Sequence, residues 1–226
     1  MQAIILCGGL STRLGNFTEN VPKILLEIGD CTVLDYQLRL LKEAGVDEVV
    51  LASGHLHDVL YSAVGESSQG IRIHYAREET RLGTGGATKN AMRYVSSSPF
   101  YVLNGDILMK DFPLANLSRN FRSEMDGLLL GVFSDNISSY GEIVSDEGGR
   151  VVAFQEKQAT RRSGYANGAI YLLSESIKRY FPNRDVFSIE RDVFPHVPNL
   201  YVLNTKIDWI DIGEPERLEY ARRHFG

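Results

Sequence analysis

Short apolar runs alternate with segments of helical spacing along the first half of the chain. Ala3 to Leu6 is an apolar run ending at Gly8-Gly9, which predicts a buried strand entering a tight turn. Val33, Leu34, Leu38, Leu41 and Ala44 recur at helical spacing, with Thr32 and Asp35 as start signals and Gly45 as the stop. Val49 to Ala52 predicts a second buried strand, His55 to Val64 a helix, Ile71 to Tyr75 a strand, Gly86 to Val95 a helix, and Phe100 to Leu103 another buried strand. Strands that alternate with helices imply a parallel sheet covered on both faces, with ligands beyond the carboxyl ends of the strands.

The second half changes character. Glu142 to Val144 and Val151 to Phe154 flank Asp146-Glu147-Gly148-Gly149 and predict a hairpin. Tyr165 to Leu173 is a further strand, followed by two short helical stretches, a strand at Tyr201 to Leu203 and a last helix from about Glu214. No repeat or low-complexity linker divides the chain, so residues 1–226 are expected to form one domain made of two halves of different character.

Composition narrows the picture. With 226 residues, 43% hydrophobic and 23% charged, the chain has ample material for one large core. A formal net charge of -5 gives no support to nucleic-acid binding through phosphates, which needs a basic face. The two cysteines, Cys7 and Cys31, predict neither a disulfide framework nor a zinc site, and Cys7 reads as a buried free thiol. The N-terminal apolar run is too short for a signal peptide or a membrane span, which leads to the expectation of a cytoplasmic protein, monomeric or homodimeric.

Four motifs carry chemistry. Leu6-Cys7-Gly8-Gly9-Leu10-Ser11-Thr12-Arg13-Leu14, then Pro22-Lys23, combines a turn whose N–H groups can approach phosphate with the hydroxyls of Ser11 and Thr12 and the cations of Arg13 and Lys23. The chain has no G-x-G-x-x-G dinucleotide fingerprint and no P-loop. Glu78 to Ala87 places Gly83, Gly85 and Gly86, with Thr84 between them, just before a helix, where the chain can pass against a flat ring. Leu103-Asn104-Gly105-Asp106 runs a strand into a carboxylate, and Asp208-Trp209-Ile210-Asp211 lies far along the chain; two carboxylates and phosphate oxygens suit Mg²⁺, although each Asp alone also suits a turn or helix cap. The fourth set is Tyr140-Gly141, Glu156-Lys157 and Asn167-Gly168, polar groups at strand ends that suit sugar recognition or, in the case of Glu156-Lys157, a surface ion pair. Five scattered histidines, His55 and His57 among them, read as surface or packing residues, and Trp209 as packing beneath Asp211.

The first motif resembles the signature of the sugar-1-phosphate nucleotidyltransferases, G-G-x-G-T-R-L followed by Lys at the Arg13-to-Lys23 spacing. The resemblance runs from Gln2 to about Tyr220 and implies an α/β/α sandwich on a mostly parallel mixed sheet, Rossmann-like, without a C-terminal β-helix domain. It implies Arg13 and Lys23 as catalytic cations, with Leu6, Gly8, Gly9, Ser11, Thr12, Arg13, Glu78, Gly83, Thr84, Gly85 and Asp106 binding nucleotide. Asp106 and Asp211 would hold Mg²⁺, with Asp208 a decoy, and Gly141, Glu156, Lys157, Asn167 and Gly168 would hold the sugar phosphate. Ser11 departs from the pattern where the family carries a third Gly. The exchange is harmless if Ser11 keeps a negative φ and impairs phosphate binding if the turn needs φ > 0. Leu82-Gly83-Thr84-Gly85-Gly86-Ala87 looks most like the guanylyltransferases for D-glycero-D-manno-heptose 1-phosphate and, less closely, mannose 1-phosphate. Glu78, or Glu79 if the loop is shifted by one residue, would accept both donors of guanine, which suits GTP. Mannose or glucose 1-phosphate with GTP or another triphosphate stays open, as does a non-catalytic nucleotide-sugar binder. A glycosyltransferase would usually present a D-x-D motif, and none stands at a strand end.

Overall fold

The structure, a computed structural model, describes residues 1–155 and 162–226. In chain order the N-terminal half contains β1 (Gln2–Leu6), the small hairpin β2 (Glu27–Ile28) and β3 (Cys31–Thr32), α1 (Val33–Glu43), β4 (Glu48–Ala52) and α2 (His57–Val64). It continues through β5 (Ser67–Ser68), β6 (Ile71–Tyr75), α3 (Gly83–Ala91), β7 (Phe100–Asn104) and β8 (Ile107–Met109). The second half adds α4 (Ala115–Asn120), β9 (Gly127–Ser134), the hairpin β10 (Glu142–Ser145) and β11 (Val151–Gln155), and β12 (Gly164–Leu173). It closes with α5 (Ile189–Asp192), β13 (Leu200–Thr205), β14 (Trp209–Asp211) and α6 (Pro215–His224).

One ten-stranded sheet forms the middle layer, in the order β11-β10-β12-β7-β1-β4-β6-β5, with β9 on β12 and β13 on β9. β7, β1, β4 and β6 run parallel, and β12 joins them antiparallel. The strand residues alternate between two apolar clusters. Ile5, Leu51 and Leu103 face one way, with Leu34, Leu38 and Leu41 of α1 and Leu218 of α6. Ile4, Val50 and Val102 face the other, with Ala87 and Ala91 of α3 and with Ile189 and Phe194. A side-chain period of two puts a core on each side, which gives the expected three layers. No helix among the described residues is long and apolar enough to cross a membrane.

The helix read at Val33 forms with its start signals engaged. Thr32 Oγ1 accepts from Asp35 N at 3.1 Å and the Asp35 carboxylate accepts from Thr32 N at 3.0 Å, a reciprocal capping box. Gly45 follows the helix at φ 79°. The second-half hairpin forms as read, its turn held by Asp146 Oδ1 accepting from Gly148 N and Arg150 N, each at 2.9 Å. Several readings change. The helix expected from Gly86 begins at Gly83, the helix expected from His55 begins at His57, and the strand Gly127–Ser134, beside β12, stands where no element was expected, as do α4 and the short strands β2, β3, β5, β8 and β14.

Candidate active site

β1 lies between β4 and β7, so its carboxyl end delivers the Gly8-Gly9 turn to the centre of the sheet edge. A cleft of about 370 Å³ opens there. Leu6, Gly8, Gly9, Ser11, Thr12, Arg13, Lys23, Glu78, Gly83, Thr84 and Asp106 all line it. Gly85, also expected here, does not line it: a Cβ at this position would stand 2.3 Å from the Phe187 ring. Its smallness serves the docking of α3 on the segment before α5, where Gly85 N donates to Phe187 O at 2.9 Å.

Gly8 must be small for a different reason. A Cβ there would lie 2.7 Å from Glu78 Oε1, so the Glu78 carboxylate lies across the Gly8-Gly9 turn. Glu78 Oε2 accepts from Leu82 N at 3.1 Å, which fixes the carboxylate against its own loop. Burial pushes the Glu78 pKa above the ordinary carboxylate value, against the lowering effects of that N–H and of Arg81. Burial also drives the Cys7 pKa far upward, and its thiol donates to Ala52 O at 3.4 Å, so Cys7 stays neutral.

Ser11 takes the second branch of its expectation: φ is 52° and ψ is 32°, left-handed backbone. The turn therefore does need φ > 0 where Ser replaces Gly, and an L-residue there costs about 1–2 kcal/mol. Ser11 O accepts from Leu14 N at 3.0 Å and from Thr18 Oγ1 at 3.2 Å, bonds that hold the turn into the 3₁₀ segment carrying Arg13.

Three cations in and beside the cleft are matched to carboxylates. Lys23, behind Pro22, places Nζ 2.7 Å from Asp106 Oδ2. Arg13 Nη1 lies 2.9 Å from Glu214 Oε1. Arg217 in the first turn of α6 pairs with Asp211 Oδ2 and stands over the Tyr140 ring, 5.0 Å from its centroid. Asp211 Oδ1 also accepts from Gly213 N at 3.1 Å. Glu214 and Arg217 had no sequence signal beyond being charged residues near Asp211; their partners come from the turn at Gly213.

The two aspartates meet through the backbone. β8 and β14 pair antiparallel with Asp211 opposite Ile107, and Ile212 N donates to Asp106 O at 3.0 Å. Asp208 is exposed at the start of this ladder, where its carbonyl accepts from Lys110 N at 2.8 Å. Trp209 shares a strand face with Asp211 and bridges outward: its Nε1–H donates to Gly168 O at 3.0 Å, and its ring meets Tyr140 edge-on at 5.2 Å.

On the expected sugar side, Gly141 O accepts from Asn167 N at 3.0 Å. The β12–β9 register shifts between Asn167 and Tyr171, and Ala169 sits there at φ 54°. Asn167 Oδ1 accepts from Ala169 N at 3.0 Å across that irregularity. Gly168 allows the close approach of Leu130 O, 2.8 Å from where a Cβ would stand. Glu156 and Lys157 lie outside the described residues.

Across residues 2–225 the sequence matches the family model described as nucleotidyl transferase, and the chain belongs to that family. It is 36% identical over 218 residues to the D-glycero-alpha-D-manno-heptose 1-phosphate guanylyltransferase of Campylobacter jejuni, covering 96% of each chain. It is 33% identical over 225 residues to a mannose-1-phosphate guanyltransferase beta-B of Xenopus laevis, where it spans 62% of that protein's length. A crystal structure of HddC from Yersinia pseudotuberculosis complexed with GMP-PN superposes with a TM-score of 0.86 at 30% identity, covering 100% of this chain and 99% of that one.

Proposed function

We propose that this protein joins a sugar 1-phosphate to GTP, giving a GDP-sugar and pyrophosphate, with D-glycero-D-manno-heptose 1-phosphate as the sugar. The observation that carries the reading is the Glu78 carboxylate lying across Gly8, in the same cleft as Arg13, Lys23 and Asp106. Guanine offers N1–H and its 2-amino group side by side, and an ionised carboxylate accepts both. The heptose assignment follows the Campylobacter relative, which the chain matches over nearly the whole of both lengths.

The reaction is an in-line displacement. A phosphate oxygen of the sugar 1-phosphate forms a bond to the α-phosphorus as the bond to the β-phosphate oxygen breaks, and pyrophosphate leaves with that electron pair. The attacking oxygen is already anionic, so no general base is needed. Catalysis reduces to holding the two phosphates in line and offsetting charge. Lys23, half-buried beside Asp106, stabilises charge at the α-phosphate. Arg13, exposed and paired at the rim with Glu214, can exchange that partner for the leaving pyrophosphate. Thr84 and Gly83 line the base side, while Asn167 and Glu156 are assigned to the sugar hydroxyls and Lys157 to the sugar phosphate.

Mg²⁺ fits the carboxylates present. Asp106, in the turn that leads into β8, and Asp211, on the paired strand β14, are hard oxygen donors joined through the backbone, and among the described residues no group of three or more potential protein ligands gathers. The remaining positions would fall to phosphate oxygens and water, as suits this ion. When bound, it supplies charge neutralisation to the phosphates. The reading further places the enzyme in the cytoplasm, where nucleoside triphosphates are available.

A pyrophosphate-release assay tests the reading, crossing GTP, ATP, UTP, CTP and dTTP with heptose, mannose, glucose and N-acetylglucosamine 1-phosphates. GTP with the heptose phosphate should give the highest kcat/KM. Preference for a pyrimidine triphosphate would remove the role given to Glu78, and preference for mannose 1-phosphate would replace the sugar alone.

A further inference from the structure

Between the base loop and the sugar-side strand stands a carboxylate with no part in the reaction just described. Glu190 lies in the first turn of α5. Its Oε2 accepts from Thr84 Oγ1 at 2.5 Å and from Ser188 Oγ at 2.6 Å, and its Oε1 accepts from the Tyr171 hydroxyl at 3.3 Å. Thr84 Oγ1 also accepts from Ile189 N at 3.0 Å, so this hydroxyl has one bond in each direction. The Tyr171 oxygen accepts in turn from Asn167 Nδ2 at 3.1 Å. An unbroken path therefore runs Thr84–Glu190–Tyr171–Asn167, and Tyr171, 0% exposed, carries it through the core.

The chemistry of the path depends on a carboxylate. A carboxylate only accepts, so the Tyr171 proton points to Glu190 and the phenol's lone pair faces the Asn167 amide. That polarity sets the amide with Nδ2 toward Tyr171 and Oδ1 on Ala169 N–H, across the strained turn at φ 54°. A glutamine at 190 would present an N–H₂ to one side. If that side faced Tyr171, its oxygen would have to accept from both neighbours. Hydrogen-bond chains in a low-dielectric interior strengthen one another, so orientation at one end is felt at the other.

We propose that Glu190 is a positioning residue that couples the two substrate subsites, so that ordering of the nucleotide loop at Thr84 aligns Asn167 on the sugar side. This rests on the reading that these two ends face nucleotide and sugar.

Two measurements on the full chain test it. The first is amide hydrogen exchange without ligand. Tyr171→Phe, which keeps the ring and removes the hydroxyl, should raise exchange in residues 82–88 by about threefold or more, and Thr84→Val should do the same in residues 164–170. The second is the KM split with GTP and D-glycero-D-manno-heptose 1-phosphate. Thr84→Val, on the nucleotide side, should also raise the sugar-phosphate KM by about five- to tenfold, within the range of ordinary site coupling. Tyr171→Phe should raise the KM for GTP, Glu190→Gln should raise both, and Thr84→Ser should restore both. A residue that only held the fold would lower the melting temperature and confine each KM effect to its own side of the cleft. Unchanged exchange in residues 82–88 in Tyr171→Phe would overturn the coupling. Absence of turnover in the wild type with these two substrates would overturn the functional reading instead, and the exchange experiment would still decide the coupling.

Discussion

Ser11→Gly should improve this protein. Ser11 is held at φ 52°, where an L-residue costs about 1–2 kcal/mol and glycine almost nothing. Glycine loses more backbone freedom on folding, roughly 0.5–1 kcal/mol, which offsets part of the gain. The balance is a stabilisation of about 0.5–1 kcal/mol, or roughly 1–4 °C in Tm for a domain of this size. If the strain acts within the loop alone, the same energy shifts the loop toward its phosphate-binding conformation and lowers the GTP KM about two- to fivefold. Calorimetry and initial rates at varied GTP measure the two effects separately. Ser11→Val provides the opposite perturbation, because a β-branched residue is a far worse occupant of left-handed backbone. A Ser11→Gly protein that melts lower than wild type, or that binds GTP more weakly, would refute the strain argument. It would show that the hydroxyl contributes more than the backbone loses.

Asp106→Asn and Asp211→Asn should each remove most turnover while circular dichroism stays native, and Asp208→Asn should change little; an essential Asp208 would reverse the metal assignment. Burial raises the Glu78 pKa, so its proton is released above the ordinary carboxylate range. Below that raised value the protonated side chain no longer accepts both guanine donors, and kcat/KM for GTP should fall on an acid limb displaced upward. Glu78→Gln should lose that limb along with most GTP activity; a limb that survives would assign it to another group. Since the folded pKa is the higher one, the folded state binds this proton more tightly than the unfolded state. Glu78 therefore lowers stability as pH rises through the window above the ordinary carboxylate value, and thermal melts of wild type and Glu78→Gln should diverge there. Thr32→Ala should cost about 1 kcal/mol through loss of the α1 cap. Burial alone would raise the Asp35 pKa, but the hydrogen bonds from Thr32 and Gln69 and the charge of Arg39 outweigh it and lower the value. That stabilisation is present above the unfolded carboxylate value and fades as pH falls through the folded one, so the cost of Thr32→Ala should shrink in acid; urea melts at neutral pH and in acid measure it.

The frame of the N-terminal half was legible because each buried strand is a short apolar run that stops at a glycine or a carboxylate. Ala3 to Leu6, Val49 to Ala52 and Phe100 to Leu103 form strands where read, and Gly8, Glu78 and Asp106 gather at their carboxyl ends because parallel strands share one edge. Local pattern failed where tertiary contact overrides propensity. Gly83, Gly85 and Gly86 suggest a loop, yet they open α3, because the helix must press its glycine face onto Phe187 and Asp185. The run at Gly127 to Ser134 has the same apolar signature and stops at Asp135, so the strand itself was legible; its place between β12 and β13 was not, because it depends on strands far away in sequence. Glu190, Glu214 and Arg217 escaped for the same reason. A charge declares its partner only after the fold has brought Thr84, Arg13 and Asp211 to it.

The placement of β12 governs how the chain can be made. β7 needs a strand on each side: β1 is present early, but the other flank is β12. Phe100, Tyr101, Val102 and Leu103 are each 0% exposed in the finished protein. On the ribosome they wait with one row of backbone N–H and C=O groups unsatisfied until Leu173 has been delivered. A chain interrupted between Asn104 and Gly164 therefore carries a fully apolar strand with an open edge, the kind of surface that seeds association and that chaperones shield.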